Sequence, residues 1–140
     1  MSNDCARNCI FGIRNYYVLN NSIKAFLFDL DGVFYVENQL IDGGNETLRY
    51  LRDLKIPFRF ITNNTTNSRN ALTSKLIQLG LEVKKEEIIS ANYAGVLLIK
   101  QLNLKNCKLI LRPEAQEDYS DLNQDDKPVE AIVVGDIGSD

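Results

Sequence analysis

Two carboxylates, Asp29 and Asp31, follow a short apolar run and lie just before Gly32. The run, residues 25–28, has the length and composition of a buried strand, and Asp and Gly favour the end of that strand. In open α/β sheets ligands bind at this end, where clustered carboxylates raise one another's proton affinity or recruit a cation. By itself the segment fits an acidic turn equally well, because Asp-x-Asp-Gly also occurs in calcium loops and ordinary turns.

A second polar segment begins with Thr62 and Asn63, directly after the apolar residues 58–61. If the two strands are parallel neighbours, both polar segments lie at the same edge of the sheet. One carboxylate could then attack a phosphoryl group, and the other could protonate the leaving oxygen and later activate water. A magnesium ion would neutralise the charge, while the hydroxyl and backbone N–H groups would bind the phosphate oxygens. The pattern therefore indicates phosphoryl transfer.

The composition narrows the chemistry further. The chain has 140 residues, 44% hydrophobic and 25% charged, which is typical of one soluble globular domain. It contains no histidine, which excludes histidine acid–base catalysis and disfavours zinc. Oxygen ligands favour a hard cation such as Mg²⁺. The net charge of −3 and the absence of a basic cluster argue against nucleic acid as a partner.

The cysteines and the apolar runs bear on the compartment. Cys5, Cys9 and Cys107 are odd in number and widely spaced, so they do not form a disulfide framework and favour a reducing cytosol. No apolar run is long enough to span a membrane, and the N-terminus does not resemble a signal peptide. We therefore expect a cytoplasmic protein without a membrane partner, in which residues 1–22 form an arm of unknown role.

Strand and helix patterns alternate along the chain. The sequence predicts a hairpin at 33–41, a helix cap at Ser68 or Asn67, and a helix end at Gly80. The predicted strands are 24–29, 58–61, 88–89, 107–111 and 131–134, and the predicted helices are 46–55, 69–79, 92–102 and 114–122. This order predicts βαβ units with a parallel sheet and right-handed crossovers.

Two stretches of sequence resemble motifs of a known family. Phe28-Asp29-Leu30-Asp31-Gly32-Val33 resembles motif I of the haloacid dehalogenase (HAD) superfamily of phosphohydrolases, and Phe60-Ile61-Thr62-Asn63-Asn64-Thr65-Thr66 resembles motif II. The Thr-Asn-Asn triplet and Asp-Gly-Val are similar to subclass IIA, which includes p-nitrophenylphosphatase-like and phospholysine/phosphohistidine phosphatase-like proteins. The resemblance covers about residues 23–135. It implies an α/β fold, a HAD-like Rossmannoid parallel sheet with helices on both faces, followed by the beginning of an α/β cap.

The resemblance implies a role for each matching residue. Asp29 matches the nucleophile and a metal ligand, and Asp31 matches the general acid/base whose backbone carbonyl binds the metal. Thr62 matches the phosphate-binding hydroxyl, and Asn63 lies in the same loop. Residues 33–41 match the flap beside the site. The implied cofactor is Mg²⁺, and the implied partner is a small phosphorylated substrate.

The same resemblance divides the chain into regions. Residues 23–104 match the N-terminal part of the HAD core, and residues 105–140 match the start of a C2-type cap. A homo-oligomer formed through the cap is a further expectation. Because the cap supplies much of the specificity in capped members, the sequence does not identify the substrate.

The last residues depart from the family pattern. Gly135-Asp136-Ile137-Gly138-Ser139-Asp140 has the form of motif IV, and Lys127-Pro128 resembles the start of motif III. Too few residues separate Lys127 from Asp136 for both motifs to be genuine. We interpret 131–135 as a cap strand and Asp136 as a loop residue, and we keep Asp136 as an alternative metal ligand. We therefore expect an N-terminal portion of a phosphatase that is weak or inactive alone.

Three functions fit these observations. The leading one is a magnesium-dependent phosphomonoester hydrolase that forms an aspartyl-phosphate. The alternative is a non-catalytic HAD-like fragment or binding protein. The third is a receiver-like domain that accepts phosphate on Asp29 as a signal, although the hairpin after Gly32 and the Thr-Asn-Asn loop argue against it.

Overall fold

The structure is a computed structural model that describes residues 23–122 and 128–138. The predicted arm at 1–22 lies outside these ranges, as do Lys127 and Asp140. The strands are β1 (Phe26–Phe28), β2 (Tyr35–Val36), β3 (Gln39–Leu40), β4 (Phe58–Thr62), β5 (Ile88–Ser90), β6 (Cys107–Ile110) and β7 (Ala131–Val134). The helices are α1 (Gly44–Asp53), α2 (Arg69–Gln78), α3 (Ala91–Gln101) and α4 (Pro113–Gln116).

Strands β1, β4 and β5 form a parallel sheet in that order, as the alternating pattern predicts. Phe28 pairs with Phe60, and Thr62 pairs with Ser90, so the carboxyl ends of all three strands meet at one edge. The predicted hairpin is present as the antiparallel pair β2 and β3. Strands β6 and β7 form a separate parallel pair. The predicted α/β fold class is thereby confirmed.

One face of the three-stranded sheet is covered by α1 and α2. Because side chains alternate along a strand, the phenylalanines of β1 and β4 share this face and pack against leucines of the two helices. The residues that form this contact are Phe26, Phe28, Phe58, Phe60, Leu48, Leu51, Leu72 and Leu76. On the opposite face Leu27 is 68% exposed and Ile61 is 42% exposed. The buried face therefore fixes the register that brings the strand ends together.

A second apolar cluster joins α3 to β6 and to the segment after it. Val96 and Ile99 of α3 pack with Leu109 and Tyr119, and all four side chains are buried. Cys107 is a buried free thiol in the same cluster, and burial raises its pKa. The predicted boundary at 104/105 stays a prediction.

Both ends of the first helix differ from the predicted bounds. The first helix begins at Gly44 and ends at Asp53, two residues earlier than expected at both ends. Lys55 adopts a φ of 56°, and Ile56 N–H donates to the Leu51 carbonyl at 2.9 Å. This left-handed residue closes the helix in the way that a glycine usually does, two residues before Pro57, which cannot continue a helix. Leu54 is exposed, although its spacing with Leu48 and Leu51 predicts one buried apolar stripe.

The prediction of one continuous helix at 114–122 is wrong. The structure contains the four-residue helix α4, which begins at Pro113, and then a short 3₁₀ turn at Glu117–Tyr119. The acidic side chains of this turn bond to other elements, and the buried Tyr119 fixes it to α3. None of the helices in the described ranges is long and apolar enough to cross a bilayer.

Candidate active site

Three of the residues predicted for phosphoryl transfer meet in one cleft, whereas Asp31, the predicted general acid/base, is not among the residues that line it. Asp29, Thr62 and Asn63 line an open cleft of about 530 Å³ at the carboxyl ends of β1, β4 and β5. Apolar side chains, including Ile61 and Ile89, form much of its wall. The parallel register produces this meeting, because Asp29 follows β1 and Thr62 is the last residue of its neighbour. The structure thus brings together three of the predicted site residues from two separate strand ends.

In the turn after β1, the buried side chain of Leu30 lies between the two exposed acidic residues. Leu30 is fully buried, whereas Asp29 and Asp31 on either side of it are exposed. The Leu30 N–H donates to Asp29 Oδ1 at 2.8 Å, and the Phe34 N–H donates to the Leu30 carbonyl at 2.9 Å. Gly32 has a φ of 75°, a conformation that glycine adopts without strain. Burial of Leu30 therefore fixes the backbone that presents the two carboxylates.

The hairpin after Gly32 folds back against this turn. The Gly32 N–H donates to the Tyr35 carbonyl at 2.8 Å. Burial raises the pKa of the Tyr35 hydroxyl, and the negative charges of Asp31 and then Asp29 raise it further. Both carboxylates thus lie close enough to Tyr35 to act on it electrostatically. The sequence predicts the hairpin, but it gives no signal that a tyrosine ring would lie beside the acidic pair.

Asparagine side chains organise the loop between β4 and α2, residues 62–68. The Asn67 N–H donates to Asn64 Oδ1 at 3.0 Å, and Asn67 Nδ2 donates to Thr66 Oγ1 at 3.0 Å. The Asn64 N–H approaches Thr62 Oγ1 at 3.4 Å. Such local bonds hold a polar loop in one conformation without a helix or strand. Asn63 lies at the exposed end of the loop and faces the cleft.

Ser90 and the start of α3 form the third side of the cleft. Ser90 is fully buried, and its hydroxyl accepts from the Tyr93 N–H at 3.1 Å, which caps α3. Ala91 and Ala94 of the same helix also line the cleft. Neither sequence motif includes these residues. The signal was present, since the third parallel strand must end at the same edge as the first two.

Asp136 lies beside the 62–68 loop but is not among the residues that line the cleft. Its N–H donates to Thr65 Oγ1 at 3.1 Å, and its own carboxylate accepts from the Gly138 N–H at 2.8 Å. In the part of the chain that the structure describes, Asp29, Asp31 and Asp136 do not form a group of three metal-ligating side chains. The role of Asp136 as a metal ligand stays a prediction.

The acidic pair fits a magnesium ion by its donor chemistry. Asp29 offers carboxylate oxygens and Asp31 a backbone carbonyl, and both residues are exposed at the turn. Magnesium is commonly held by one or two carboxylates, with water and substrate phosphate oxygens as the remaining ligands. A set of two protein oxygens at the open end of a cleft is therefore compatible with this cation.

Comparison with known proteins identifies the family. Residues 26–124 match the family described as haloacid dehalogenase-like hydrolase. The chain belongs to the haloacid dehalogenase-like hydrolases. The matched range contains both motifs of this HAD chain, and the family expected from them is confirmed.

Relatives of the HAD chain are named phosphatases. It is 36% identical over 98 residues to phosphoglycolate phosphatase 1A, chloroplastic, from Arabidopsis thaliana, covering 70% of this chain and 27% of the relative. It also resembles the p-nitrophenyl phosphatase from Archaeoglobus fulgidus, with a TM-score of 0.60 and 29% identity over 68% of this chain and 37% of that one. The latter agrees with the subclass expected from the motifs.

A further solved structure shows the fold alone. The 4-nitrophenylphosphatase from Thermotoga maritima matches with a TM-score of 0.71 and 23% identity, covering 81% of this chain and 44% of that one. The HAD chain thus spans less than half the length of these relatives.

Proposed function

We propose that this HAD chain carries the nucleophile and the phosphate-binding loop of a magnesium-dependent phosphomonoester hydrolase. The observation that supports the proposal most strongly is the single cleft lined by Asp29, Thr62 and Asn63. A carboxylate, a hydroxyl and a loop amide at the ends of parallel strands supply a nucleophile and donors for phosphate oxygens. The chain contains no histidine, and we assign the acid–base chemistry to the carboxylate of Asp31.

The proposed reaction has two steps. In the first, an Asp29 carboxylate oxygen attacks phosphorus while the bond to the leaving oxygen breaks, and the Asp31 carboxyl gives its proton to that oxygen. In the second, Asp31 removes a proton from water, whose oxygen attacks phosphorus and releases Asp29 and inorganic phosphate. Thr62 and Asn63 hold the phosphate oxygens through both steps.

The magnesium ion is part of the proposal. The Asp29 carboxylate and the Asp31 carbonyl would hold it, and Asp136 is the alternative further ligand. When bound, the ion would neutralise negative charge between the nucleophile and the phosphate.

The proposed substrate is a small phosphate ester. The relatives named above are phosphatases, and the one from Arabidopsis thaliana is named for phosphoglycolate. The cleft is open, and much of its wall is apolar. We therefore propose that the site recognises its substrates mainly through their phosphate group.

We further propose a cytoplasmic location, based on the odd cysteine count, and an oligomer formed through residues 105–140.

Hydrolysis of p-nitrophenyl phosphate by the chain tests the proposal. We expect slow turnover that requires Mg²⁺, is abolished by EDTA, and falls by at least about a hundredfold in Asp29→Asn, because the amide is a poor nucleophile. The control is Asp53→Asn, the same change at an exposed residue that ends α1. Equal turnover by the two variants would overturn the proposal.

The alternative function is that of a non-catalytic HAD-like binding protein. A protein that only binds phosphate would show saturable binding of inorganic phosphate without any magnesium-dependent hydrolysis. That result would support the alternative and contradict the hydrolase.

A further inference from the structure

The N-terminus of α2 is held by two carboxylates from a distant part of the chain. Ser68 Oγ donates to Glu117 Oε2 at 2.6 Å, and Asn70 Nδ2 donates to Glu117 Oε1. The Arg69 N–H donates to both oxygens of Asp118 at 3.0 Å. Ser68 and Arg69 directly follow the polar part of the 62–68 loop. The carboxylate pair, Glu117 and Asp118, therefore fixes the end of the segment that begins with Thr62.

The Ser68 hydroxyl makes two hydrogen bonds at the start of α2. Ser68 is fully buried, its Oγ donates to Glu117, and the same oxygen accepts from the Ala71 N–H at 3.1 Å. The hydrogen bonds from Ser68 and Asn70 lower the pKa of Glu117. Glu117 therefore stays ionised at neutral pH, and its bonds to Ser68 and Asn70 are charge-assisted.

Asp118 also reaches the middle of the loop through α3. Its carboxylate accepts from Asn92 Nδ2 at 2.9 Å, and the neighbouring Tyr119 hydroxyl donates to the Asn92 carbonyl at 2.8 Å. The Asn92 N–H in turn donates to the Asn64 carbonyl at 3.3 Å. The 3₁₀ turn at Glu117–Tyr119 thus restrains the loop at its end directly and at Asn64 through one intermediate residue.

The same bonds determine which N–H groups remain for a phosphate. At the start of α2, the N–H groups of Arg69 and Ala71 are already bonded to Asp118 and Ser68. A carboxylate at this position is favoured by the helix dipole, and it repels a second anion. A phosphate at this edge must therefore bind at the other end of the loop, at Thr62 and Asn63.

We propose that Glu117 and Asp118 are positioning residues that hold the 62–68 loop in the conformation that binds phosphate. They do so through Ser68, Arg69 and Asn92, without touching the substrate themselves. The inference rests on the proposed function, because it assumes that Thr62 and Asn63 bind phosphate. It extends that function by making residues 113–119, which lie outside both motifs, a determinant of phosphate affinity.

Titration of the full 140-residue chain with inorganic phosphate in the presence of Mg²⁺, followed by amide NMR, tests the inference. The variants are Asp118→Ala, Asp118→Asn and Glu117→Gln. The control is Asp121→Asn, a charge change three residues away at an exposed side chain that pairs with Lys100 at 3.4 Å. We expect phosphate to shift the Thr62 and Asn63 amides in the unmodified chain and in the control.

In Asp118→Ala we expect the dissociation constant for phosphate to rise by roughly tenfold, because the loop loses its fixed geometry. Asp118→Asn and Glu117→Gln each keep one acceptor oxygen and should show smaller increases. The amides of Thr62 and Asn63 should shift in the free variants as well. A purely structural role would lower the melting temperature and leave these amides and the phosphate affinity unchanged. If Asp118→Ala does not fold, the two conservative variants decide the question.

Two negative results are distinguishable. Normal phosphate affinity and unchanged Thr62 and Asn63 amides in the folded variants would overturn the inference alone. Absence of any phosphate-dependent shift in the unmodified chain would overturn the proposed function and the inference with it.

Discussion

Ser68 is the residue at which the loop, the helix and the carboxylate pair meet. Its hydroxyl caps α2 by accepting from the Ala71 N–H, and it donates to Glu117. Ser68→Ala removes both bonds from a fully buried position. We expect the free energy of unfolding to fall by about 1–2 kcal/mol, the upper part of the range for a lost N-cap, measured by urea denaturation.

The matched control for Ser68 lies in the same helix. Ser74 is exposed in the middle of α2, where alanine is the better helix former. Ser74→Ala should therefore leave the free energy of unfolding unchanged or raise it by a few tenths of a kcal/mol. Equal effects at the two positions would show that the Ser68 bonds do not stabilise the protein.

The positions of Asp29, Thr62 and Asn63 at one edge of the sheet could be predicted because each depends on a local signal. Asp29 and Thr62 directly follow apolar strands, and parallel pairing then places them at one edge. The position of Tyr35 depends on how the hairpin folds back, and that of Glu117 depends on a contact 49 residues distant in sequence. Periodicity and composition carry no information about such contacts.

Helix α3 packs closely against the 3₁₀ turn at Glu117–Tyr119, where Gly95 of the helix faces the side chain of Tyr119. A Cβ added at Gly95 would lie 2.5 Å from the Tyr119 hydroxyl oxygen, which is buried and bonded to Asn92. Gly95→Ala should therefore lower the free energy of unfolding by about 1–3 kcal/mol, despite the higher helix propensity of alanine. The measurement is urea denaturation at neutral pH.

A second substitution isolates the cause. In Tyr119→Phe the hydroxyl is absent, and the nearest ring carbon lies 3.6 Å from the added Cβ, an ordinary contact. Gly95→Ala should then be neutral or stabilising in the Tyr119→Phe background. Equal destabilisation in both backgrounds would contradict the packing that links α3 to the carboxylate pair.

Helices and strands could be predicted more reliably than their ends. Gly80 has a φ of 94° and closes α2 at the expected place, because glycine signals a left-handed residue in the sequence. Lys55 and Asn103 adopt the same conformation with φ values near 55°, and no rule on composition points to the lysine. The end of α1 was therefore predicted too late. Its existence and the burial of Leu48 and Leu51 were predicted correctly, but the burial of Leu54 was not.

At the scale of the whole molecule, the described chain contains two apolar clusters linked by polar contacts. The first cluster sets the sheet register, and the second fixes α3 to the segment that carries Glu117 and Asp118. Hydrogen bonds from Ser68, Arg69 and Asn92 connect the two at the edge of the cleft. The geometry of the 62–68 loop therefore depends on both clusters together.

The opposite face of the sheet illustrates what sequence patterns leave open. Alternation predicts that Leu27 and Ile61 share a face, and the structure agrees. Both side chains are exposed in the part of the chain that is described. Which face is covered depends on tertiary packing. The sequence pattern does not determine it, because the run Phe26–Phe28 is apolar on both faces of the strand.

The proposed chemistry makes Asp29 the residue that accepts the phosphoryl group. This role is tested by mixing the chain with p-nitrophenyl phosphate and Mg²⁺, quenching with acid, and mapping the modified residue by mass spectrometry. We predict one phosphoryl group on Asp29, none on any residue of Asp29→Asn, and an unchanged yield in Asp53→Asn. A phosphoryl group on another residue, or hydrolysis of the ester by Asp29→Asn at the unmodified rate, would contradict the claim.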